Sequence, residues 1–228
     1  MTFDIRNIWA FEVAGVEVWI TETMLVTWII MLALTVFAVI VRIRLKNFTD
    51  IPRGGFQNFI ESVVEMFDSF VRGTAGPRFM FLGGWFFSVF AFIFVSNLSG
   101  ALGFRPPTAD WSMTIAIAMV TFTLIQVVGL RYRGAGYLKG FLKPVFIFAP
   151  LNIIGELARP VSLSFRLFGN ILAGIILMGV VYNLAPLPLT IGLPAALHGY
   201  FDIAIGFLQT YIFCALSLAF ISGAADDS

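Results

Sequence analysis

The chain has 228 residues, of which 59% are hydrophobic and only 12% are charged, and its mean hydropathy is +0.94. Because about a quarter of the residues of a soluble domain are charged, this composition excludes a soluble globular protein and predicts an integral membrane protein. The net charge of +1 gives no sign of a nucleic acid partner. The single cysteine, Cys214, lies in an apolar run and permits no intrachain disulfide.

The first long apolar run covers residues 23–41 and ends at the basic residues Arg42, Arg44 and Lys46. It is long enough to span a bilayer. Residues 1–22 contain four acidic side chains and one basic side chain. Since basic loops stay on the cytoplasmic side, we expect the N-terminus outside the cell and the segment after this helix inside it.

Residues 52–73 differ from a membrane span, because charged residues interrupt the apolar pattern. Large apolar residues recur every third or fourth position from Phe56 to Val71, and residues such as Glu61 and Glu65 occupy the other side. This pattern predicts an amphipathic helix, which we place along the cytoplasmic surface of the membrane. A helix packed on soluble protein is the alternative.

Two further apolar runs, 79–104 and 111–130, predict a pair of membrane helices joined by a short external turn, Arg105–Asp110. The two prolines of this turn cannot continue a helix. A second basic cluster, at 131–143, follows the second run. It falls on the same side as the first cluster, so the predicted topology is self-consistent.

The last third of the chain predicts a helical hairpin with arms 150–182 and 194–222. Unbroken helices over 152–182 and 194–221 would be roughly 42–47 Å long, whereas the hydrocarbon core is only about 30 Å thick. We therefore expect both arms to be strongly tilted or bent, with a kink at Pro160. The prediction is an all-α membrane protein of one domain, with five transmembrane helices, one amphipathic surface helix and a cytoplasmic C-terminus.

Each arm of this hairpin carries a line of polar residues. Arg166 is the most informative of them, because a guanidinium stays charged and costs roughly 2.5–3.5 kcal/mol near the centre of a bilayer. Such a charge normally faces the protein interior or a wet cavity, where it marks an ion pathway or a counter-charge. At about 100° per residue, one face of the first arm carries Arg159, Ser162, Arg166 and Asn170, and one face of the second carries His198, Asp202 and Gln209.

These polar residues also have structural interpretations. Arg166 could pair with Asp202 or Glu156, or extend its head group to the interface. The amides of Asn170 and Gln209 could each bond to a neighbouring helix. His198 could be an interfacial histidine with a local partner. Glu156 and Arg159 carry opposite charges three residues apart and could neutralise each other.

Other chemistries fit the sequence poorly. There is no P-loop, and one histidine and one cysteine in apolar segments predict no metal site, so we expect neither a cofactor nor catalytic residues. Ser99 with His198 could form the dyad of an intramembrane serine protease. Asn97 stands where that motif has a glycine, which disfavours this reading.

Three segments of the chain carry a family resemblance. They are Pro150-Leu-Asn-Ile-Ile-Gly-Glu156, the stretch Pro160–Gly174 with its Ser-Phe-Arg-Leu-Phe-Gly-Asn core, and Leu208-Gln-Thr-Tyr-Ile-Phe213. Together with Arg53–Asn58 and Pro107–Asp110, they resemble the bacterial type of subunit a of the F-type ATP synthase membrane sector. The match runs in order from about residue 50 to about residue 222.

The resemblance implies a non-catalytic stator in the cell membrane, which lies against a rotating ring of c subunits and works with the b-subunit peripheral stalk and the rest of the complex. In that family, ions enter one half-channel, load a ring carboxylate and leave by an offset half-channel. The family's indispensable arginine corresponds to Arg166, which attracts each ring carboxylate in its ionised form, repels the ion and so separates the half-channels. The expected half-channel residues are Asn170, Gln209, Asp202, His198, Glu156, Arg159 and Ser162.

One position departs from the family pattern. Many proton-coupled members carry glutamate or histidine nine residues after the arginine, opposite a partner on the last helix. Here that position is Ile175 and the partner position is Asp202. Asp202, with His198 one turn away, is left as the substitute for a two-group relay. The sequence therefore leaves the coupling ion open between H⁺ and Na⁺, whose selecting ligands would sit on the ring.

Two other functions fit the composition. A self-contained channel or secondary transporter would move ions when reconstituted alone, although the lack of internal repeats counts against many transporter folds. A non-transporting scaffold of a respiratory complex would use Arg166 only in a structural ion pair. Such a scaffold would tolerate neutral residues at both Arg166 and Asp202.

Overall fold

The computed structural model describes residues 7–13, 16–46, 48, 54–142, 146–184 and 189–226. Five helices in this part of the chain are long and apolar enough to cross a membrane, which confirms the predicted all-α membrane protein. These five candidate spans are Glu22–Leu45, Pro77–Ala101, Trp111–Arg133, Phe146–Asn183 and Gly192–Ala225.

The elements form a short β-hairpin followed by helices. The strands are β1 (Asn7–Val13) and β2 (Val16–Thr21). The helices are α1 (Glu22–Leu45), α2 (Gly55–Ala75), α3 (Gly83–Ala101), α4 (Trp111–Arg133), α5 (Ala135–Gly140), α6 (Ala149–Leu184), α7 (Leu189–His198) and α8 (Gly206–Ala225). A π-helical turn, Gly199–Ile205, joins α7 to α8, and 3₁₀ turns cover Pro77–Leu82, Pro107–Ala109 and Phe146–Phe148.

The β-hairpin is a feature that the sequence analysis did not predict. Strands β1 and β2 pair antiparallel, with Ala10 opposite Trp19 and Glu12 opposite Glu17. Valine, isoleucine and aromatic residues dominate both strands, and these residue types favour extended chains. The hairpin precedes α1 directly, and Thr21 caps that helix by accepting a hydrogen bond from the Met24 N–H at 3.4 Å.

The core lies where α3, α4 and α8 meet, and α6 packs on α4 and α8. The side chains that fill it are almost fully buried, as the apolar faces of these helices require. Its largest members are Phe79, Phe86, Phe213, Ile93, Ile125, Leu167, Leu218 and Ile221.

Helix α2 is amphipathic, as predicted for residues 52–73, although Pro52 lies outside the described residues. Phe67 and Val71 are buried against the helix bundle, whereas Phe59 and Met66 are about 60% exposed. The chain therefore covers only part of the apolar face of α2. The rest of this face is open to the surroundings of the protein.

The turn between α3 and α4 differs from an exposed external loop. Thr108 and Ala109 are 0% and 3% exposed, because the Pro107–Ala109 turn inserts between α1, α3, α4 and α6. A buried turn must satisfy its own polar groups. Two prolines remove two N–H donors, and the Ala109 and Asp110 N–H groups donate to the carbonyls of Pro106 and Pro107.

Helix α6 continues through Pro160 and reaches 36 residues, a length of about 54 Å. Pro160 is buried, and the helix continues past it to Leu184. The second arm is interrupted by the π-helical turn. Pro186 and Pro188 of the predicted hairpin turn lie outside the described residues.

Candidate functional site

Arg166 lies on the open face of α6. Arg166, Ser162, Gly169 and Ala173 are all exposed, whereas Leu167, about 100° further round the helix, is fully buried. Within the described ranges, no carboxylate forms an ion pair with the Arg166 guanidinium. The permanent positive charge is therefore directed at whatever lies outside this chain.

The two carboxylates that could have neutralised Arg166 have other partners. Glu156 accepts a bond from Arg159 Nη1 at 2.8 Å. Asp202 Oδ2 lies 2.6 Å from His198 Nδ1. A structural ion pair between Arg166 and either carboxylate is therefore not formed in this structure.

Asn170 and Gln209 join the two arms of the hairpin one turn from Arg166. The Asn170 Nδ2 donates to Gln209 Oε1 at 2.7 Å. Gln209 is only 3% exposed, and no described residue accepts a bond from its Nε2. An unsatisfied buried donor costs free energy, so the Asn170 bond is formed although one donor of Gln209 stays unpaired among the described residues.

His198, Asp202 and Tyr182 form a hydrogen-bonded cluster at one end of the hairpin. His198 Nδ1 contacts Asp202, and its Nε2 lies 3.3 Å from the Tyr182 hydroxyl. The His198 and Asp202 side chains are only 20% and 16% exposed. A Cβ at Gly100 of α3 would lie 3.2 Å from the Asp202 carboxylate, so Asp202 faces the backbone of α3. Tyr182 and Gly100 were not among the predicted site residues.

The π-helical turn changes the directions expected for the second arm. The Gly206 N–H bonds to the Phe201 carbonyl, five residues back, and such turns take more residues than the 3.6 of an α-helix. An α-helical count placed Asp202 and Gln209 on one face. In the structure Asp202 faces α3, whereas Gln209 contacts Asn170 on α6.

Sequence reasoning also missed a buried network around Asn97. Asn97 is 0% exposed in α3; its Nδ2 donates to the Gly206 carbonyl at 3.1 Å, and its Oδ1 accepts from Thr108 at 2.8 Å. The signal available in the sequence was an amide inside an apolar span, which must find partners. Its partners could not be read from the sequence, because Gly206 is 109 residues away.

A second polar cluster surrounds Glu156 near the start of α6. Gln126 of α4 donates to Glu156 at 3.2 Å, and the Tyr137 hydroxyl donates to Gln126 at 3.1 Å. Burial, and then the negative charge of Glu156, raise the pKa of the Tyr137 hydroxyl above its usual value of 10.0. The cluster borders a cavity of about 620 Å³, whose lining includes Arg133, Tyr137, Asn152, Glu156, Arg159 and Phe220.

Arg166 lies between these two clusters along α6. Ten residues separate it from Glu156 and sixteen from Tyr182, distances of about 15 Å and about 24 Å along the helix axis. Carboxylate, imidazole and phenol groups can accept and release protons. No group of three or more His, Cys, Asp or Glu side chains that could hold a metal ion occurs among the described residues.

Comparison with known proteins identifies the family of this chain. The family model described as "ATP synthase A chain" matches residues 24–222. "ATP synthase subunit a" of Trichlorobacter lovleyi is 37% identical over 211 residues, which cover 89% of this chain and 86% of that protein. "ATP synthase subunit a 1" of Syntrophotalea carbinolica is 39% identical over 210 residues, or 88% of this chain and 84% of that protein. The chain is thus a multi-pass membrane protein that belongs to the ATP synthase A chain family.

Proposed function

We propose that this chain is the ion-translocating stator subunit of a rotary F-type ATP synthase, without a catalytic site of its own. The observation that carries the proposal is an exposed Arg166 without an internal counter-charge in the described chain, on a membrane-length helix between two polar clusters. A charge in that setting is expensive. That cost would be offset if the carboxylates of a passing c-subunit ring paired with Arg166 one after another.

The role of Arg166 follows from its charge. Two opposite unit charges 4 Å apart attract by about 4 kcal/mol at an effective dielectric constant of 20. Since about 1.4 kcal/mol is tenfold, Arg166 would favour the ionised over the ion-loaded carboxylate roughly 1000-fold. Each ring carboxylate would release its ion as it meets Arg166, and the positive charge would stop that ion from leaking across.

The two polar clusters supply the proposed half-channels. His198 and Asp202, with Tyr182, would line the external route. Asp202 would act as the titratable group there, because Ile175 stands where many family members carry glutamate or histidine. Glu156 and Arg159, beside the cavity, would line the cytoplasmic route. Ser162, Asn170 and Gln209 would lie along the path between the two routes and the ring.

The open face of α6 supports close contact with a helical ring. Around Arg166 it exposes small residues, and small residues allow helix backbones to approach closely. They are Gly155, Ala158, Ser162, Gly169 and Ala173.

The remaining parts of the proposal concern orientation and partners. The N-terminus would lie outside the cell, and α2 and the C-terminus on the cytoplasmic side, because the basic clusters after α1 and α4 would stay in the cytoplasm. The c-ring and the b-subunit stalk would be its partners in the plasma membrane. The ring carboxylate's surroundings would select H⁺ or Na⁺.

An Arg166→Ala complex tests the role of the charge. We expect it to lose gradient-driven ATP synthesis in proteoliposomes while the soluble sector still hydrolyses ATP. Arg166→Lys should be severely impaired, because an ammonium lacks the planar fork of a guanidinium. Arg131→Ala is the matched control, since Arg131 is an exposed arginine at the end of α4. Normal synthesis by Arg166→Ala would refute the proposal.

A stand-alone channel or secondary transporter is the competing function. Such a protein would conduct ions when this chain alone is reconstituted, with H⁺ and Na⁺ gradients tested separately. The proposed stator would be inert without its ring. Measurable flux through the isolated chain would favour the competing function.

A further inference from the structure

The helix that bears Asp202 is held from α3 at the point where its π-helical turn ends. Asn97 Nδ2 donates to the Gly206 carbonyl at 3.1 Å, and Thr210 Oγ1 donates to the same carbonyl at 2.7 Å. Gly206 begins α8 directly after the π-helical turn. Two side-chain donors therefore converge on the junction between the two helix types.

Side-chain donors can stabilise one position of such a junction. Changing from i→i+5 to i→i+4 hydrogen bonds interrupts the regular ladder, and buried carbonyls must still be paired. Asn97 is suited to this task because its own amide is fixed. Thr108 of the buried turn donates to its Oδ1 at 2.8 Å, so its Nδ2 points at Gly206.

Close packing makes this contact specific. A Cβ at Gly206 would lie 3.0 Å from the Cβ of Asn97, and a Cβ at Gly100 would lie 3.2 Å from the Asp202 carboxylate. Both glycines let α3 approach the second arm closely enough for these contacts. Asn97 and Gly100 lie three residues apart on α3, so the anchored carbonyl and the carboxylate meet the same face of that helix.

Asp202 lies within the π-helical turn, where the structure departs from the α-helical arrangement. In an uninterrupted α-helix, Asp202 and Gln209 would point within about 20° of each other, since seven residues make almost two turns. With the turn present, Gln209 bonds to Asn170 on α6 and Asp202 packs against Gly100 on α3. The second arm therefore contacts α3 through Asp202 and α6 through Gln209.

We propose that Asn97 is a positioning residue: by holding the Gly206 carbonyl, it keeps the π-helical turn in place and so aims Asp202 at α3 and away from Gln209. The consequence for ion movement rests on the proposed function, since Asp202 is there assigned to the external route. The positioning itself does not depend on that assignment.

The test measures the direction of position 202 without measuring ion transport. In the whole complex, Asp202→Cys is introduced into a Cys214→Ala background, which removes this chain's single cysteine. A charged, membrane-impermeant methanethiosulfonate is added from the external side, and the modified peptide of this chain is quantified by mass spectrometry. Leu193→Cys, an exposed position on α7, reports on the arm outside the π-helical turn.

Three further substitutions are compared in this background. Asn97→Leu keeps the size of the side chain but removes all of its side-chain hydrogen bonds, and Thr108→Val removes only the donor that fixes the amide. Ser99→Ala is the matched control, because Ser99 is buried on the same helix and, among the described residues, its hydroxyl donates to the Ser96 carbonyl alone.

We expect Asn97→Leu to change the modification rate at position 202 by about tenfold or more, since the loss of a buried hydrogen bond costs enough to change the favoured helix form. Thr108→Val should act in the same direction, and Ser99→Ala should stay within about twofold. Modification at position 193 should be unchanged in every variant.

Two results would overturn the proposal. One is a parental modification rate at position 202 in both Asn97→Leu and Thr108→Val. The other is an equal change at positions 202 and 193, which would indicate general loosening of the arm. Failure of the proposed function is recognised separately, because it would appear as normal ATP synthesis by Arg166→Ala or Asp202→Asn whatever the modification rates are.

Discussion

Gly169 offers a way to separate the fold of this chain from its contact with a ring. It lies three residues after Arg166 on the open face of α6, and a Cβ added there would meet no atom within 4 Å. Glycine in the middle of a helix costs about 0.5–1 kcal/mol relative to alanine. For the chain by itself, Gly169→Ala should therefore be neutral or slightly stabilising, and Gly169→Leu should be tolerated.

The proposed contact reverses that expectation for function. If ring helices approach the small residues of this face, a leucine at position 169 would overfill the interface, at a cost of about 1–3 kcal/mol. Since about 1.4 kcal/mol is tenfold, we expect Gly169→Leu to lower gradient-driven ATP synthesis by about tenfold or more. Gly169→Ala should have a smaller effect of the same sign.

The assay measures two quantities on the same membranes. One is the amount of this chain in the purified complex, which should stay at the parental level in both variants. The other is the ATP synthesis rate in proteoliposomes. Gly73→Leu on α2 is the matched control, since Gly73 is also an exposed helical glycine with no atom within 4 Å of its Cβ position. Equal and parental synthesis by Gly169→Leu and Gly73→Leu would refute a ring contact at this face.

Two further predictions concern the polar clusters. Gly129→Ala should destabilise the chain by about 1–3 kcal/mol, because its Cβ would lie 2.7 Å from the Tyr137 ring; lower thermal stability of the chain within the purified complex would show this, and an unchanged melting profile would contradict it. His198→Phe should reduce ATP synthesis strongly, because it removes the 2.6 Å contact with Asp202, whereas Tyr182→Phe should have little effect, because its 3.3 Å contact is exposed. Equal rates for these two variants in proteoliposomes would contradict the cluster's proposed role.

The membrane class and the spans were predictable because they depend on local properties of the sequence. Hydrophobicity summed over about 20 residues determines whether a helix can cross a bilayer. Each predicted run from 23–41 to 194–222 accordingly overlaps one of the five membrane-length helices. The family was predictable for a similar reason, since the segment around Arg166 is contiguous, and the family match to residues 24–222 confirms it.

The partners of the polar residues could not be predicted in the same way. Three carboxylate or guanidinium groups, Glu156, Asp202 and Arg166, could have paired in several combinations. The structure pairs Glu156 with Arg159 and Asp202 with His198, which leaves Arg166 open. Which combination forms depends on how the helices pack, because each pairing also needs its remaining hydrogen-bonding groups satisfied.

The direction of Asp202 illustrates the same limit. An α-helical count is the only one that the sequence supports, and it placed Asp202 beside Gln209. The second arm departs from that count at the π-helical turn. Asn97, which bonds to the Gly206 carbonyl just after the turn, and Thr108, which bonds to Asn97, come from a segment roughly 100 residues earlier. The sequence by itself thus determined that charged and polar groups enter the membrane-length helices. Only the tertiary structure decided which groups meet, because buried hydrogen bonds form between residues that packing, and not chain order, brings together.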